Sequence, residues 1–123
     1  MATLPNASRD AMVDALVDLI DAGAGAGDLV FQTSGDVEVA TCAFSDPAFG
    51  ASSGGTATAN SISDDTNATG GTTTKASLQD SNSTEVIEAT VSTSGADINL
   101  SSTTIGAGDT VSITALTVTQ PAS

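Results

Sequence analysis

The chain has 123 residues, enough for one domain, and sets 15 acidic side chains against two basic ones, Arg9 and Lys75, for a net charge of −13 with no histidine. Two bases cannot build the positive patch that displaces counterions from nucleic acid, and the same balance disfavours anionic membrane surfaces. Without histidine, Ser-His-Asp and Cys-His catalysis are excluded, and zinc is left with one cysteine and carboxylates.

Hydrophobic residues make up 39% of the chain, much of it alanine, and there is no Trp or Tyr. This implies a thin core, which in a β-rich chain suggests help from oligomerisation or from docking on a partner. The acidity suits solubility and, more pointedly, salty water or an exposed position on a large assembly. Cys42 is the one cysteine, so no internal disulfide forms; within "VEVATCAF" it reads as a small buried apolar residue. The opening "MATLPNASRD" lacks the basic region and apolar core of a signal peptide, so synthesis in a cytoplasm is expected. No apolar run approaches the ~20 residues that span a bilayer.

Residues 1–27 read as a helix and a linker. In "NASRDAMVDALVDLIDAG", Val13, Leu16, Val17 and Ile20 recur at helical spacing, with Met12 and Leu19 widening the stripe and Asp10, Asp14 and Asp18 on another face. Asn6 or Ser8 is the expected cap, Asp10 suits the positive end of the dipole, and Gly23 is the expected stop. Asp18 and Asp21 oppose the dipole at the other end, so the helix depends on packing its stripe. That stripe is a possible docking face for a partner, or else it covers one end of its own domain. The "AGAGAG" that follows resembles part of a dinucleotide fingerprint, but it comes after a helix instead of opening one, and is expected to be a flexible or extended linker.

From residue 28 to 123 the period becomes two. Strands are expected at about 28–33, 36–43, 56–62, 73–79, 84–92, 97–100 and 110–119. "TSGD" and "QDSNST" are hairpin turns, while "SDPAFGASSGG" and "SDDTNATGG" are longer loops. The fold class is mainly β: an antiparallel β-sandwich, jelly-roll-like domain with one N-terminal amphipathic helix. The last strand carries a conflict. Val111, Ile113 and Ala115 share one face, whereas Leu116 and Val118 have the opposite parity. Either a bulge sits near Ala115–Leu116, or the two halves are buried on different faces, as in a strand passing from its own core onto a neighbour.

Few groups suggest chemistry. Lys75 and Ser77 share a strand face and have the spacing of a Ser–Lys dyad, but a surface ion pair is the expected role for a lysine in so acidic a chain. Glu85 and Glu88, three apart on a strand, fall on opposite faces and so do not form a hydrolytic carboxylate pair. Asp64, Asp65 and Asn67 supply oxygen ligands for a weak cation site, without EF-hand spacing; a solvated turn is the plainer reading. Asn6, Asn67, Asn82 and Asn99 begin N-x-S/T triplets, which arise by chance in a Ser/Thr-rich chain. No catalytic residue, cofactor or metal is expected, and no enzyme.

The second half, "ASLQDSNSTEVIEATVSTSGADINLSSTTIGAGDTVSITALTVTQP", with weaker support from "GDLVFQT" onward, resembles small virion proteins of tailed bacteriophages. The pattern is a strand ending in "LQDS", a turn into "TEVIEATV", then "GADINL", "TTIGAGDTVSIT" and a terminal strand. It is the pattern of head decoration (cement) proteins and also of tail- or fibre-associated proteins. The resemblance implies a non-enzymatic structural protein on the outer face of a capsid. Its partners would be the major capsid protein and sister copies, as a trimer, with the tail- or fibre-associated binding module as the alternative. It carries over no functional residue. A docking role for Val13, Leu16, Val17 and Ile20 is the expectation drawn from the helix.

Overall fold

The computed structural model of the protein describes residues 2–121. Helix α1 (Asn6–Asp18) begins directly after Pro5 and runs into a short 3-10 turn, Leu19–Asp21. The Pro5 carbonyl accepts from the N–H groups of Ser8 and Arg9, both at 3.1 Å. No side chain caps the helix. The Asn6 Oδ1 expected there accepts instead from the Arg9 guanidinium. Gly23 does take a left-handed φ of +98°, two residues past the 3-10 turn.

The helix buries Val13, Val17 and Ile20 in the core of the chain, with Leu16 half-buried at the margin. Met12 and Leu19 do not widen that stripe: they are 46% and 54% exposed. At 100° per residue they lie well round the helix from the Val13–Val17–Ile20 line, and the strands reach only that line.

Three aspartates tie the helix to the loop that follows β2. Asp10 Oδ1 accepts from the Gly55 N–H at 2.7 Å, Asp14 Oδ1 from Ser52 at 3.0 Å, and Asp21 Oδ1 from Ala48 at 2.8 Å. Arg9 Nε donates to the Gln120 carbonyl at 2.8 Å. Gly55 makes room for that guanidinium, since a Cβ there would come within 2.7 Å of it. Of the three acids that sequence reading set on another face of the helix, Asp10 and Asp14 therefore hold backbone amides, and Asp18 is exposed. The Gly/Ala linker is anchored at its end: Gly27 is buried, and a Cβ there would meet the Gln79 carbonyl at 2.1 Å, while residues 22–24 and Ala26 are exposed.

The strands are β1 (Asp28–Gln32), β2 (Glu38–Ala43), β3 (Thr56–Thr58), β4 (Gly71–Thr72), β5 (Lys75–Gln79), β6 (Glu85–Ser92), β7 (Ile98–Asn99), β8 (Thr104–Ile105) and β9 (Thr117–Thr119). The chain is mainly β with one N-terminal helix. Its strands form one curled sheet of five, in the order β2-β1-β5-β6-β7, and two small pairs, β3–β9 and β4–β8. Pairing is antiparallel except for β6–β7, which is parallel. The cross-strand pairs Leu29↔Cys42, Leu29↔Leu78, Phe31↔Ala76 and Leu78↔Ile87 set an apolar face toward the core that also holds the helix stripe. Both expected hairpins form, with Asp36 and Ser83 at positive φ in their turns.

At the start of β6 the register shifts: Gln79 pairs with Glu85 while Leu78 pairs with Ile87. The extra residue, Val86, puts Glu85 and Glu88 on the same outer face of the sheet. This corrects the opposite-face expectation, because a bulge cancels the parity of a three-residue spacing.

Asp28 opens β1 half-buried, and desolvation raises its pKa above the ordinary carboxylate value. Folding therefore favours its neutral form. The fold is most stabilised at this site below the ordinary pKa, and loses that contribution as pH rises through the raised value. Asp28→Asn should raise the melting temperature at pH 7 by about 2 °C and give no gain at pH 3. Equal gains at both pH values would contradict this account. Asp14→Ala should cost about 1–3 kcal/mol in urea unfolding, because it leaves the Ser52 N–H without its carboxylate. The triple Ala variant at Asp10, Asp14 and Asp21 should expose the 22–27 linker to proteolysis under native conditions.

Candidate functional site

The conflict in the last expected strand is resolved by a gap in its pairing. Gly106–Asp109 turns tightly: the Asp109 N–H donates to the Gly106 carbonyl at 3.0 Å, and Asp109 Oδ2 accepts from the Gly106 N–H at 2.8 Å. Val111 then exchanges both backbone hydrogen bonds with Asp65, at 2.8 and 3.0 Å. Thr117–Thr119 pairs with β3. Between them, Ser112–Ala115 has no backbone hydrogen-bond partner among the described residues, and the Leu116 carbonyl accepts from the Ala59 N–H at 2.8 Å. There is no continuous bulged strand. The two halves pair with different segments, so Val111 and Leu116 are both buried despite opposite parity.

Residues 112–116 therefore form a strap with open space on each side. A hollow of about 520 Å³ lies between the strap and residues 97–105, with Ile98, Leu100, Ile105 and Ile113 among its lining. A second, of about 580 Å³, lies toward residues 59–64, where Ile62 and Asp64 join it. Ile113 and Leu116 line both. What the strap offers is therefore free backbone N–H and C=O groups on either side of a bend at Thr114, beside the side chains of Ile113 and Leu116.

The residues singled out for chemistry fall elsewhere. Lys75 makes an ion pair with Asp36, and that hydrogen bond holds its pKa above the ordinary lysine value, with Glu88 and Glu85 adding to the effect. Ser77 is buried and accepts from Gln79 Nε2 at 3.1 Å, so the structure does not join Ser77 to Lys75 as a dyad. Asp65 has both carboxylate oxygens engaged by backbone, Oδ2 with Thr41 N–H at 2.8 Å and Oδ1 with Asn67 N–H at 2.9 Å. Its role is to shape the 63–71 loop and hold it to β2. Among the described residues no group of three or more Cys, Asp or Glu is placed to hold a metal ion. Val13, Val17 and Ile20 lie inside the chain's own core, which is the second of the two roles set out for that stripe. No described helix is long and apolar enough to cross a membrane.

Sequence reading missed the strap as a gap in pairing, although the parity change at Ala115–Leu116 marked its place. It also missed Asp80, Asp97 and Asp109 as turn acceptors. Asp80 Oδ1 accepts from Asn82 and Thr84 N–H, and Asp97 exchanges hydrogen bonds with Thr90. The signal available for these was Asp beside Gly, Ser and Asn in each turn.

No protein-family model, curated protein or solved structure matches the chain.

Cys42 is 0% exposed, its pKa is raised chiefly by burial, and its Sγ lies 3.6 Å from the Val111 carbonyl at the root of the strap. It should resist thiol reagents in the native protein and react fully in denaturant. Rapid native labelling would mean that the strap opens away from the sheet.

Proposed function

We propose that this protein is a non-enzymatic structural protein of a virion: a decoration protein that docks on the outer face of the shell built by a bacteriophage's major capsid protein. The observation that carries this reading is the strap. Residues 112–115 present backbone without a partner among the described residues, beside two mainly polar hollows that Ile113 and Leu116 both line, and a neighbouring polypeptide that adds there gains main-chain hydrogen bonds and covers those two apolar side chains.

Three features support the reading. The stretch that resembles phage decoration proteins, residues 73–121, contains the strap. The net charge of −13 opposes contact with packaged DNA and suits the outside of a shell. Seven aspartates, Asp10, Asp14, Asp21, Asp65, Asp80, Asp97 and Asp109, hold backbone amides, a structural use of groups that elsewhere serve acid–base chemistry.

Densitometry of purified particles containing the chain tests the reading. Hundreds of copies per particle support decoration, whereas a handful would assign it to the tail and overturn the proposal. Thr114→Pro removes an N–H that is unpaired in the chain's own fold. It should weaken binding to undecorated shells at least about tenfold, with the melting temperature within about 2 °C of the parent. Undiminished binding of this variant would exclude the strap as the docking element.

A further inference from the structure

We propose that the outward face of α1 is a self-association surface, against which a second copy of this chain packs its own α1 in the antiparallel sense. This contact is distinct from the strap and does not depend on the shell-docking reading.

The face consists of Ser8, Ala11, Met12, Ala15, Asp18 and Leu19, all exposed. Met12 and Leu19 are, with Val37, the three exposed large hydrophobic side chains among the described residues. Asp18 is the single charge on this face, in a chain with a net charge of −13. Ala11 and Ala15 let a facing helix approach closely, while Met12 and Leu19 project into the gaps that its alanines leave.

Charge decides both the occupant and its direction. The helix N-terminus has no side-chain cap and no acid in its first turn, while the last turn has no base. Asp18 therefore stands at the negative end of its own dipole with nothing to balance it. An antiparallel second copy places each Asp18 beside the uncapped N-terminus of the other helix, and the two-fold symmetry makes that contact twice. A parallel pair would set Asp18 against Asp18. An anionic membrane is opposed by the net charge and by the absence of any basic residue on the face.

The expected dimer is weak. Two 13-residue helices bury less than the roughly 1,200–2,000 Å² of a stable interface, and two strongly acidic bodies repel each other. Salt screens that repulsion, so association should strengthen as ionic strength rises.

Sedimentation of the isolated chain, from about 10 µM to about 1 mM, tests this at about 0.05 M and about 1 M NaCl. A monomer–dimer equilibrium is expected, at least about tenfold tighter at high salt. Met12→Asp or Leu19→Asp should abolish it with unchanged thermal melting, since both side chains are exposed. In an oxidised equimolar mixture of Ser8→Cys and Asp18→Cys chains, the 8–18 heterodisulfide should make up nearly all of the linked dimer, well above the share that random pairing gives. A monomer throughout the range would overturn the proposal. So would an oligomer of any size that survives Leu19→Asp, or a predominance of 18–18 disulfides.

Discussion

The hydrogen bond from a backbone N–H to an aspartate carboxylate is the interaction on which the rest of this structure depends. A chain with 15 acids and two bases cannot neutralise its carboxylates with ion pairs; the one ion pair among the described residues joins Lys75 to Asp36. Backbone amides in irregular segments face the complementary difficulty, because outside helix and sheet they lack regular acceptors. Each group supplies what the other lacks. The bond is charge-assisted and therefore stronger than a neutral pair, and it lets loops such as 48–55 and 63–71 keep a fixed shape although they contain few strand residues.

The consequences run outward from there. Asp10, Asp14 and Asp21 fix the helix on the 48–55 loop and so determine which side of it meets the core. Asp65 holds the 63–71 loop against β2, and its backbone pairs with Val111, where the strap begins. Asp80, Asp97 and Asp109 close turns in the second half of the chain. Among the described residues two surfaces then stand out as without partners: the backbone of the strap and the outward face of α1. The two differ in kind. The strap offers main-chain groups and suits strand addition by another polypeptide. The helix face offers shape, apolar area and an uncompensated dipole, and suits its own copy.

Much of the architecture was legible in the sequence. Period-two patterning located β1, β2, β5 and β6, and turn residues located both hairpins, because half-buried antiparallel strands with tight turns obey local rules. The core-facing line of the helix was legible for the same reason. The two-residue strands β4 and β8 were not, since two residues carry no period. The bulge at Val86 was also hidden: it depends on how β5 and β6 align, and it alone brings Glu85 and Glu88 to one face. Of the candidate docking surface, the sequence showed the parity change at Ala115–Leu116, but not that pairing would lapse there.

Composition and periodicity by themselves determined that this chain is mainly β with one N-terminal helix, strongly acidic and without the residues for histidine chemistry. These properties are sums over the chain or patterns within a dozen residues. Only the tertiary structure decided the partners of the aspartates, the exposure of Met12 and Leu19, and the free edge of the strap. Each of these depends on which distant segment arrives beside a residue. The Asp10–Gly55 and Asp14–Ser52 contacts join residues 45 and 38 apart, a separation over which local pattern carries no information.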